Sequence, residues 1–181
     1  MLQPLLEAPP DHPGLLLAWG TSLVRTRQSD QAAQIFRRLL EQNAANPSVH
    51  LLLGQAYAQQ EDYAGGLNEL KSALQLDPGL PEAHYFIGLI HLRQGDFESA
   101  AAEFRSELQI RPADPVTRYH LGYALLLQGH ADQALALLRG VLQAYRRVGR
   151  LPEAQQALAA YQKLIETNRL KRRESLEADK P

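Results

Sequence analysis

Six histidines are the residues of this 181-residue chain best suited to chemistry, because an imidazole ring can bind a metal or transfer a proton. His84 and His91 lie seven residues apart, not the four that pair histidines in a helical zinc site. His50 and His84 fall on separate predicted helices, whose axes would be at least about 8–10 Å apart. Two Zn–N bonds of about 2.0 Å do not easily span that separation. Roles in the core or at an interface therefore explain the histidines better than a metal site.

No other arrangement of residues indicates catalysis. The chain has no cysteine, which excludes disulfides, thiolate zinc sites and cysteine nucleophiles. It contains neither a glycine-rich phosphate loop ending in Lys-Ser or Lys-Thr nor a Gly-x-Ser-x-Gly elbow. Acidic pairs such as Glu61 and Asp62 fall in polar turns, where turn and cap roles account for them. We therefore predict a protein that is not an enzyme, with no catalytic residue, metal or cofactor.

Composition places the chain among ordinary single domains. The 19 basic and 20 acidic residues leave a net charge of −1, too little to attract nucleic acid or an anionic membrane. The longest apolar stretches, such as residues 14–20, are far shorter than the ~20 residues that cross a bilayer. Residues 2–6 are too few for a secretory signal and include Pro4. We expect a cytoplasmic protein that binds neither nucleic acid nor membrane.

The elements that would position any functional residue come from an internal repeat of 34 residues. Four glycines share this spacing, namely Gly20, Gly54, Gly88 and Gly122. A proline precedes each by seven residues, and a small residue follows each by twelve: Pro13, Pro47, Pro81 and Pro115; Ala32, Gly66, Ala100 and Ala134. Each unit contains two apolar stretches of helix length joined by a polar turn. The pattern predicts that proline opens the first helix and that the glycine packs closely against the second.

These residues resemble the tetratricopeptide repeat, a helix–turn–helix unit with small residues at the glycine and alanine positions. The resemblance covers about residues 13–148 and implies four repeats, 13–46, 47–80, 81–114 and 115–148. It implies an all-α fold, a right-handed α-solenoid or superhelix. The sequence departs from the family pattern where a tryptophan is expected early in the first helix and where a proline should close the repeat: Leu16, His50, His84 and Arg118; Ala44 and Arg146.

The two ends of the chain differ from the repeats. Residues 1–12 are either the remnant of a preceding repeat helix, which would make the chain a piece of a longer protein, or a disordered leader. Residues 149–173 are predicted to form a capping helix, because Ala154, Leu158, Tyr161 and Ile165 make an apolar stripe. Residues 174–181 are predicted to be a disordered tail. The basic cluster 171–173 is interpreted as a solvated helix end rather than a nuclear or nucleic-acid signal.

The resemblance places the first helices on the inner, concave side of the superhelix. Their non-core positions fall four, eight and twelve residues after each opening proline, and we call these positions the first-helix stripe: Leu17, Thr21 and Arg25; Leu51, Gln55 and Gln59; Tyr85, Leu89 and Arg93; Tyr119, Tyr123 and Leu127. Most are uncharged and three are tyrosines, which is typical of binding surfaces. The predicted ligand-binding residues are Tyr85, Leu89, Arg93, Tyr119, Tyr123, Leu51, Gln55 and Arg25. The alternative is that neighbouring helices or the final helix cover part of this stripe.

We predict a non-catalytic scaffold that binds a peptide or protein segment in the concave groove. The repeats could also form homo-oligomers through their exposed ends. The alternative function is a module that positions a substrate or partner for a larger enzyme. Binding of RNA by helical repeats is disfavoured by the near-neutral charge. Some family members clamp a C-terminal carboxylate with Lys, Asn and Arg, but the matching positions here carry other residues, among them Leu17, Gln55 and Phe86.

Overall fold

A computed structural model of the protein describes residues 12–147, 149–150, 152, 155, 157–159, 162–163, 165–167 and 169–170. Eight α-helices are described over their full length, and the described residues form no strand. The helices are α1 Pro13–Arg25, α2 Ser29–Gln42, α3 Pro47–Gln59, α4 Tyr63–Leu76, α5 Ala83–Gln94, α6 Phe97–Ile110, α7 Pro115–Leu127 and α8 Ala131–Arg147. Odd-numbered helices are the first helices of the repeats and even-numbered helices the second. The predicted all-α fold class is confirmed.

The helices belong to two units, Met1–Ile90 and His91–Pro181, and the division falls within α5. In the first unit α1 packs on α2, α2 on α3 and α3 on α4, and α1 also contacts α3. In the second unit α6 packs on α7, and α7 packs on α8. Within each unit the helices therefore pack against their sequence neighbours, as stacked helix–turn–helix repeats require.

Short polar side chains cap the starts of four helices. Asn46 caps α3, Asp62 caps α4 and Asp114 caps α7, each by accepting a backbone N–H of the first turn. Asp96 accepts the N–H of Ser99 at 3.0 Å and caps α6. Such caps typically stabilise a helix by about 1 kcal/mol each.

The start of α5 differs from the prediction that proline opens each first helix. Proline occupies the first turn of α1, α3 and α7, but α5 begins at Ala83, two residues after Pro81. Glu82 lies between them with a φ of 72°, in the left-handed region that non-glycine residues seldom adopt. Its carbonyl accepts the N–H of Phe86 at 3.0 Å, so the helical hydrogen bonds begin at Glu82. Pro81 belongs to the preceding turn.

Two repeat glycines of the first unit, Gly20 and Gly54, lie where two helices come close together. A Cβ atom added to Gly54 would lie 2.7 Å from Cγ of Leu70 and 3.1 Å from the carbonyl oxygen of Gly66. One added to Gly20 would lie 2.6 Å from the ring of Phe36, four residues beyond the small residue that we expected it to face. Such distances are far shorter than normal packing contacts. Both helix pairs therefore need glycine at these positions.

Each unit buries its own apolar side chains. In the first unit, Leu16, Phe36 and Leu53 centre a cluster formed by α1, α2 and α3, and a second cluster contains Leu70 and Ile87. These residues are 3% exposed or less. Each cluster joins helices of two successive repeats.

The second unit combines an apolar core with a buried carboxylate that pairs with a half-buried arginine. Phe104 of α6 and Leu138 and Val141 of α8 are almost completely buried. Glu107 is also fully buried and accepts a hydrogen bond from Nε of Arg111, one turn later, at 2.7 Å. A buried carboxylate needs such a partner, because its desolvation would otherwise be very costly.

The described residues between 152 and 170 are helical. Ala157 in this segment is 1% exposed and clusters with Val141, Leu142 and Tyr145 of α8. The predicted apolar positions Ala154 and Tyr161 lie outside the described residues, as do residues 1–11 of the N-terminal segment and all of 171–181. The capping helix 149–173, the leader 1–12 and the tail 174–181 stay predictions.

Candidate functional site

The first-helix stripe is divided between the two units. Positions from Leu17 to Leu89 belong to the first unit, whereas Arg93, Tyr119, Tyr123 and Leu127 belong to the second. Its exposed members are Arg25, Gln59, Arg93, Tyr123 and Leu127. Its half-buried members are Leu17, Thr21, Gln55, Tyr85, Leu89 and Tyr119. Each unit therefore presents its own part of the stripe.

Two leucines of the stripe pack against core residues of the first unit. Leu51 is only 9% exposed and belongs to the core cluster that also contains Leu70, Ala73 and Ile87. Leu17 packs against the core cluster of α1, α2 and α3. Residues of α4 and α5 supply the packing partners of Leu51, so little of its surface is open to a ligand. The ligand contact of Leu51 stays a prediction. The alternative that neighbouring helices cover part of the stripe holds for these two residues.

The rest of the stripe on α1 and α3 is polar. Thr21 donates its hydroxyl hydrogen to the carbonyl oxygen of the residue one turn earlier, at 2.7 Å. The side-chain oxygen of Gln59 accepts a hydrogen bond of 2.6 Å from the Ser29 hydroxyl. Arg25 is exposed in the last turn of α1, and Gln55 is half-buried. This part of the first unit offers hydrogen-bonding groups and one positive charge.

Tyr85 and Leu89 form the α5 part of the stripe in the first unit. Both are half-buried. The Tyr85 ring meets Phe86 edge to face, with ring centroids 5.4 Å apart. Phe86 in turn packs against the core cluster of Leu70 and Ile87. Tyr85 is therefore held by the fold and keeps only part of its surface for other contacts.

The most exposed apolar part of the stripe lies on α7. Tyr123 is 45% exposed, and Leu127, one turn later, is 41% exposed. Residues four apart in an α-helix lie on the same side, so the two side chains adjoin. An exposed tyrosine next to an exposed leucine forms an apolar patch with one hydroxyl group. This patch is suited to a partner that supplies an apolar side chain.

Tyr119 precedes Tyr123 by one turn and is partly covered. It packs against the cluster of Val141, Leu142, Tyr145 and Ala157, which joins α8 to the following helical segment. The prediction placed Tyr119 and Tyr123 in the same role, but their surroundings differ. Removal of the Tyr119 ring should affect folding, whereas Tyr123 has few such contacts to lose.

His120 lies on the same side of α7 and was not predicted for this surface. Its ring stacks on Phe104 of α6 with a centroid distance of 5.8 Å. Burial lowers the pKa of His120 from 6.5 to about 4, against a smaller opposing effect of the Asp114 carboxylate. The ring is therefore neutral at pH 7. The other α7 residues one turn from Tyr123, namely Tyr119, Leu126 and Leu127, are uncharged as well. The spacing of one turn between His120 and Tyr123 was the signal that could have identified it.

Arg93 is the predicted positive charge of the second unit's stripe. It is exposed in the last turn of α5, and no ion pair joins it to another described residue. His91 in the same turn has its Nδ1 3.8 Å from a carboxylate oxygen of Asp96. Hydrogen bonds from Ser99 hold the pKa of Asp96 below its usual value. Asp96 is thus ionised and engaged in capping α6, while Arg93 stays accessible.

Both ring nitrogens of His50 have partners in the fold. Nδ1 lies 2.6 Å from a carboxylate oxygen of Glu69, and Nε2 lies 3.0 Å from the carbonyl oxygen of Ala44. Across the described part of the chain, no group of three or more His, Cys, Asp or Glu residues could hold a metal ion. Likewise, none of the described helices is long and apolar enough to span a membrane.

Sequence comparison matches nearly the whole helical array to one family. A profile described as tetratricopeptide repeat matches residues 17–81 and 59–115, and another with the same description matches residues 91–165. No curated protein matches the sequence. The matched residues include every helix from α2 to α8 and most of α1.

Solved structures share the same fold at low sequence identity. TTC0263, a thermophilic TPR protein in Thermus thermophilus, is 21% identical with a TM-score of 0.72, over 89% of this chain and 84% of that one. MamA from Desulfovibrio magneticus RS-1 is 18% identical with a TM-score of 0.65, over 90% and 98% of the two chains. A chain of the APC/C hetero-tetramer Cut9–Hcn1 is 16% identical with a TM-score of 0.67, over 89% and 35%. These similarities concern the fold.

Proposed function

Because the chain belongs to the tetratricopeptide repeat family, we propose that it is a non-catalytic scaffold that binds a segment of a partner protein on its first helices. Its repeats support a general role in protein interaction. The observation that carries the more specific proposal is the exposed, uncharged side of α7. Tyr123 and Leu127 expose 45% and 41% of their surface there. Aromatic side chains with charge-depleted surroundings are characteristic of the centre of protein interfaces.

Tyr123 is the proposed anchor of the site. Its ring offers apolar area and its hydroxyl group can donate or accept a hydrogen bond. Leu127 extends the apolar contact by one turn, and Tyr119 borders it from a partly packed position. Arg93, in the same unit, is proposed to meet an acidic group of the ligand. Its contribution is smaller, because an exposed charge stays hydrated and is screened by salt.

The first unit offers a different set of contacts. Arg25, Gln55, Tyr85 and Leu89 stay proposed as ligand contacts of that unit, while the buried Leu51 is left out. These side chains are more polar or more covered than the α7 patch. We therefore expect them to contribute less to binding than Tyr123.

Selection of peptides from a displayed library against this chain, followed by single substitutions, tests the proposal. Tyr123→Ala should weaken binding of the selected peptide by about 2 kcal/mol or more, roughly 30-fold, because anchors at interface centres have effects of this size. Its melting temperature should stay within about 1 °C of wild type, because Tyr123 is 45% exposed and belongs to none of the core clusters described above. Gln55→Ala, at the equivalent position of α3, is the matched control and should change affinity much less.

Tyr119→Ala separates binding from folding. Because this ring packs against α8 and the segment that follows it, the variant should melt at a lower temperature. A folded Tyr123→Ala variant with wild-type affinity would contradict the assignment of the site to α7. Equal losses from Tyr123→Ala and Gln55→Ala would also contradict it.

A further inference from the structure

The exposed side of α8 carries three arginines within nine residues. We define the arginine face as Arg139, Gly140, Gln143, Arg146 and Arg147. All of these except the half-buried Gly140 are exposed. The other side of α8 buries its apolar residues in the second unit, which keeps the arginines on the outside. Residues seven apart in a helix lie on the same side, about 10.5 Å apart along the axis, so Arg139 and Arg146 are aligned.

Among the described residues, no carboxylate neutralises the positive charges of the arginine face. The nearest carboxylate on α8 is Asp132, in the first turn of the helix. Throughout the described residues, none forms an ion pair with Arg139, Arg146 or Arg147. The face is therefore a local excess of positive charge on a chain whose net charge is −1.

Other second helices show that this charge pattern is specific to α8. On α2, Glu41 and Arg37 are both exposed, and on α6, Glu98 and Arg105 are both exposed. Mixed charges of this kind are usual for a solvated helix surface. Beyond the first turn of α8, its only charged residues are arginines.

The helix dipole explains only part of this pattern. Positive side chains stabilise the last turn of a helix, which accounts for Arg146 and Arg147. Arg139 lies two turns before the helix end, where the dipole effect has faded. Arginine, in contrast to lysine, binds carboxylates through two parallel hydrogen bonds.

The open space around Gly140 is a second, independent observation on the arginine face. A helix is less stable with glycine than with alanine at an interior position. Close helix packing explains the glycines at positions 20 and 54. A Cβ atom added to Gly140 would have no neighbouring atom within 4 Å. Internal packing therefore gives no reason for glycine here. Glycine is also used where another chain must approach the backbone closely.

We propose that the arginine face binds an acidic segment of another protein. Carboxylates of the partner pair with Arg139, Arg146 and Arg147, and the partner's backbone passes over Gly140. Charge complementarity favours an acidic partner. A protein segment is favoured over a nucleic acid because the chain has a near-neutral charge overall and belongs to a protein-interaction family. This site is separate from the proposed α7 site and does not depend on it.

Fluorescence anisotropy with a labelled ten-residue poly-glutamate peptide at low salt tests the proposal. The double variant Arg139→Glu, Arg146→Glu should bind the peptide at least tenfold more weakly than wild type. The double variant Lys71→Glu, Arg105→Glu makes the same change in net charge at exposed positions of α4 and α6. It should change the affinity less than twofold. Melting curves establish that both variants are folded.

Gly140→Leu tests whether the partner's backbone passes close to position 140, without altering the charge of the chain. The substitution should leave the melting temperature unchanged or raise it by about 2–4 °C, because the site is open and leucine favours a helix. Binding of the poly-glutamate peptide should fall at least fivefold, because the leucine occupies the partner's path. Wild-type affinity in this variant would overturn the proposal.

Three further outcomes would overturn it. The first is no detectable peptide binding by wild type at low salt. The second is tighter binding of a ten-nucleotide single-stranded DNA, lost in the Arg139→Glu, Arg146→Glu variant, which would assign the face to nucleic acid. The third is concentration-dependent dimerisation of wild type that the same variant abolishes, which would assign it to a second copy of this chain.

Discussion

Helices α3 and α7 occupy the same place in repeats 68 residues apart, yet they expose different chemistry. Three pairs of positions correspond, namely Leu51 with Tyr119, Gln55 with Tyr123 and Gln59 with Leu127. On α3 the leucine is buried and Gln59 is hydrogen-bonded to Ser29. On α7 the last two positions form an exposed apolar patch. The repeat determines where a helix lies, whereas the side chains at these positions determine what it can bind.

Glycines at equivalent positions of the same two helices show a similar contrast in packing. A Cβ atom on Gly54 of α3 would lie 2.7 Å from Cγ of Leu70, but one on Gly122 of α7 would lie 3.4 Å from Cγ of Leu138. The second distance is an ordinary van der Waals contact. The repeated glycine is thus a packing requirement in α3 and a tolerated choice in α7.

The largest expected difference between the units is in how their stability depends on pH. His120 of α7 corresponds to Leu52 of α3, which does not titrate. The unfolded chain takes up a proton at His120 below pH 6.5, whereas the folded protein does so only below about pH 4. Stability contributed by the neutral ring is therefore complete above pH 6.5 and is lost as the pH falls towards 4. The difference corresponds to at most about 3 kcal/mol.

Urea denaturation at pH 7 and pH 4.5 measures this effect. His120→Gln should lose distinctly less unfolding free energy between the two pH values than wild type does. His130→Gln alters an exposed histidine of the same unit and serves as the control, with a loss equal to wild type. Equal losses in all three proteins would remove His120 as the cause of acid sensitivity.

Substitution of Gly54 and of Gly122 by alanine should change the unfolding free energy in opposite directions. Gly54→Ala should lower the unfolding free energy by about 1–3 kcal/mol, because the added methyl group overpacks the contact between α3 and α4. Gly122→Ala, its matched control, should raise the unfolding free energy by about 0.5–1 kcal/mol, because alanine favours the helix and fits the space. Denaturation of the two variants under identical conditions makes the comparison. Destabilisation of the same size in both would show that the α7 contact is as tight as that of α3.

Sequence was sufficient for the features that repeat. The spacing of glycine, proline and small residues predicted the family and the all-α fold, and both are confirmed. These features depend on local geometry and on a period that the chain shows directly.

Features that depend on packing between helices could not be predicted from the sequence. Leu51 and Tyr123 both follow the stripe spacing, but only tertiary packing decides that one is buried and the other exposed. The start of α5 was missed because nothing in the type of residue 82, a glutamate, signals a positive φ. The stacking of His120 on Phe104 joins two helices and has no local signal.

The most direct measurement of where the partner binds is site-specific photo-crosslinking. A benzoylphenylalanine residue placed at position 123 or, in a separate protein, at position 55 compares the two equivalent sites of α7 and α3. Irradiation with the peptide selected from the library should give a strong cross-link from position 123 and little from position 55. A strong cross-link from position 55 with none from position 123 would contradict the assignment of the binding site to the exposed side of α7.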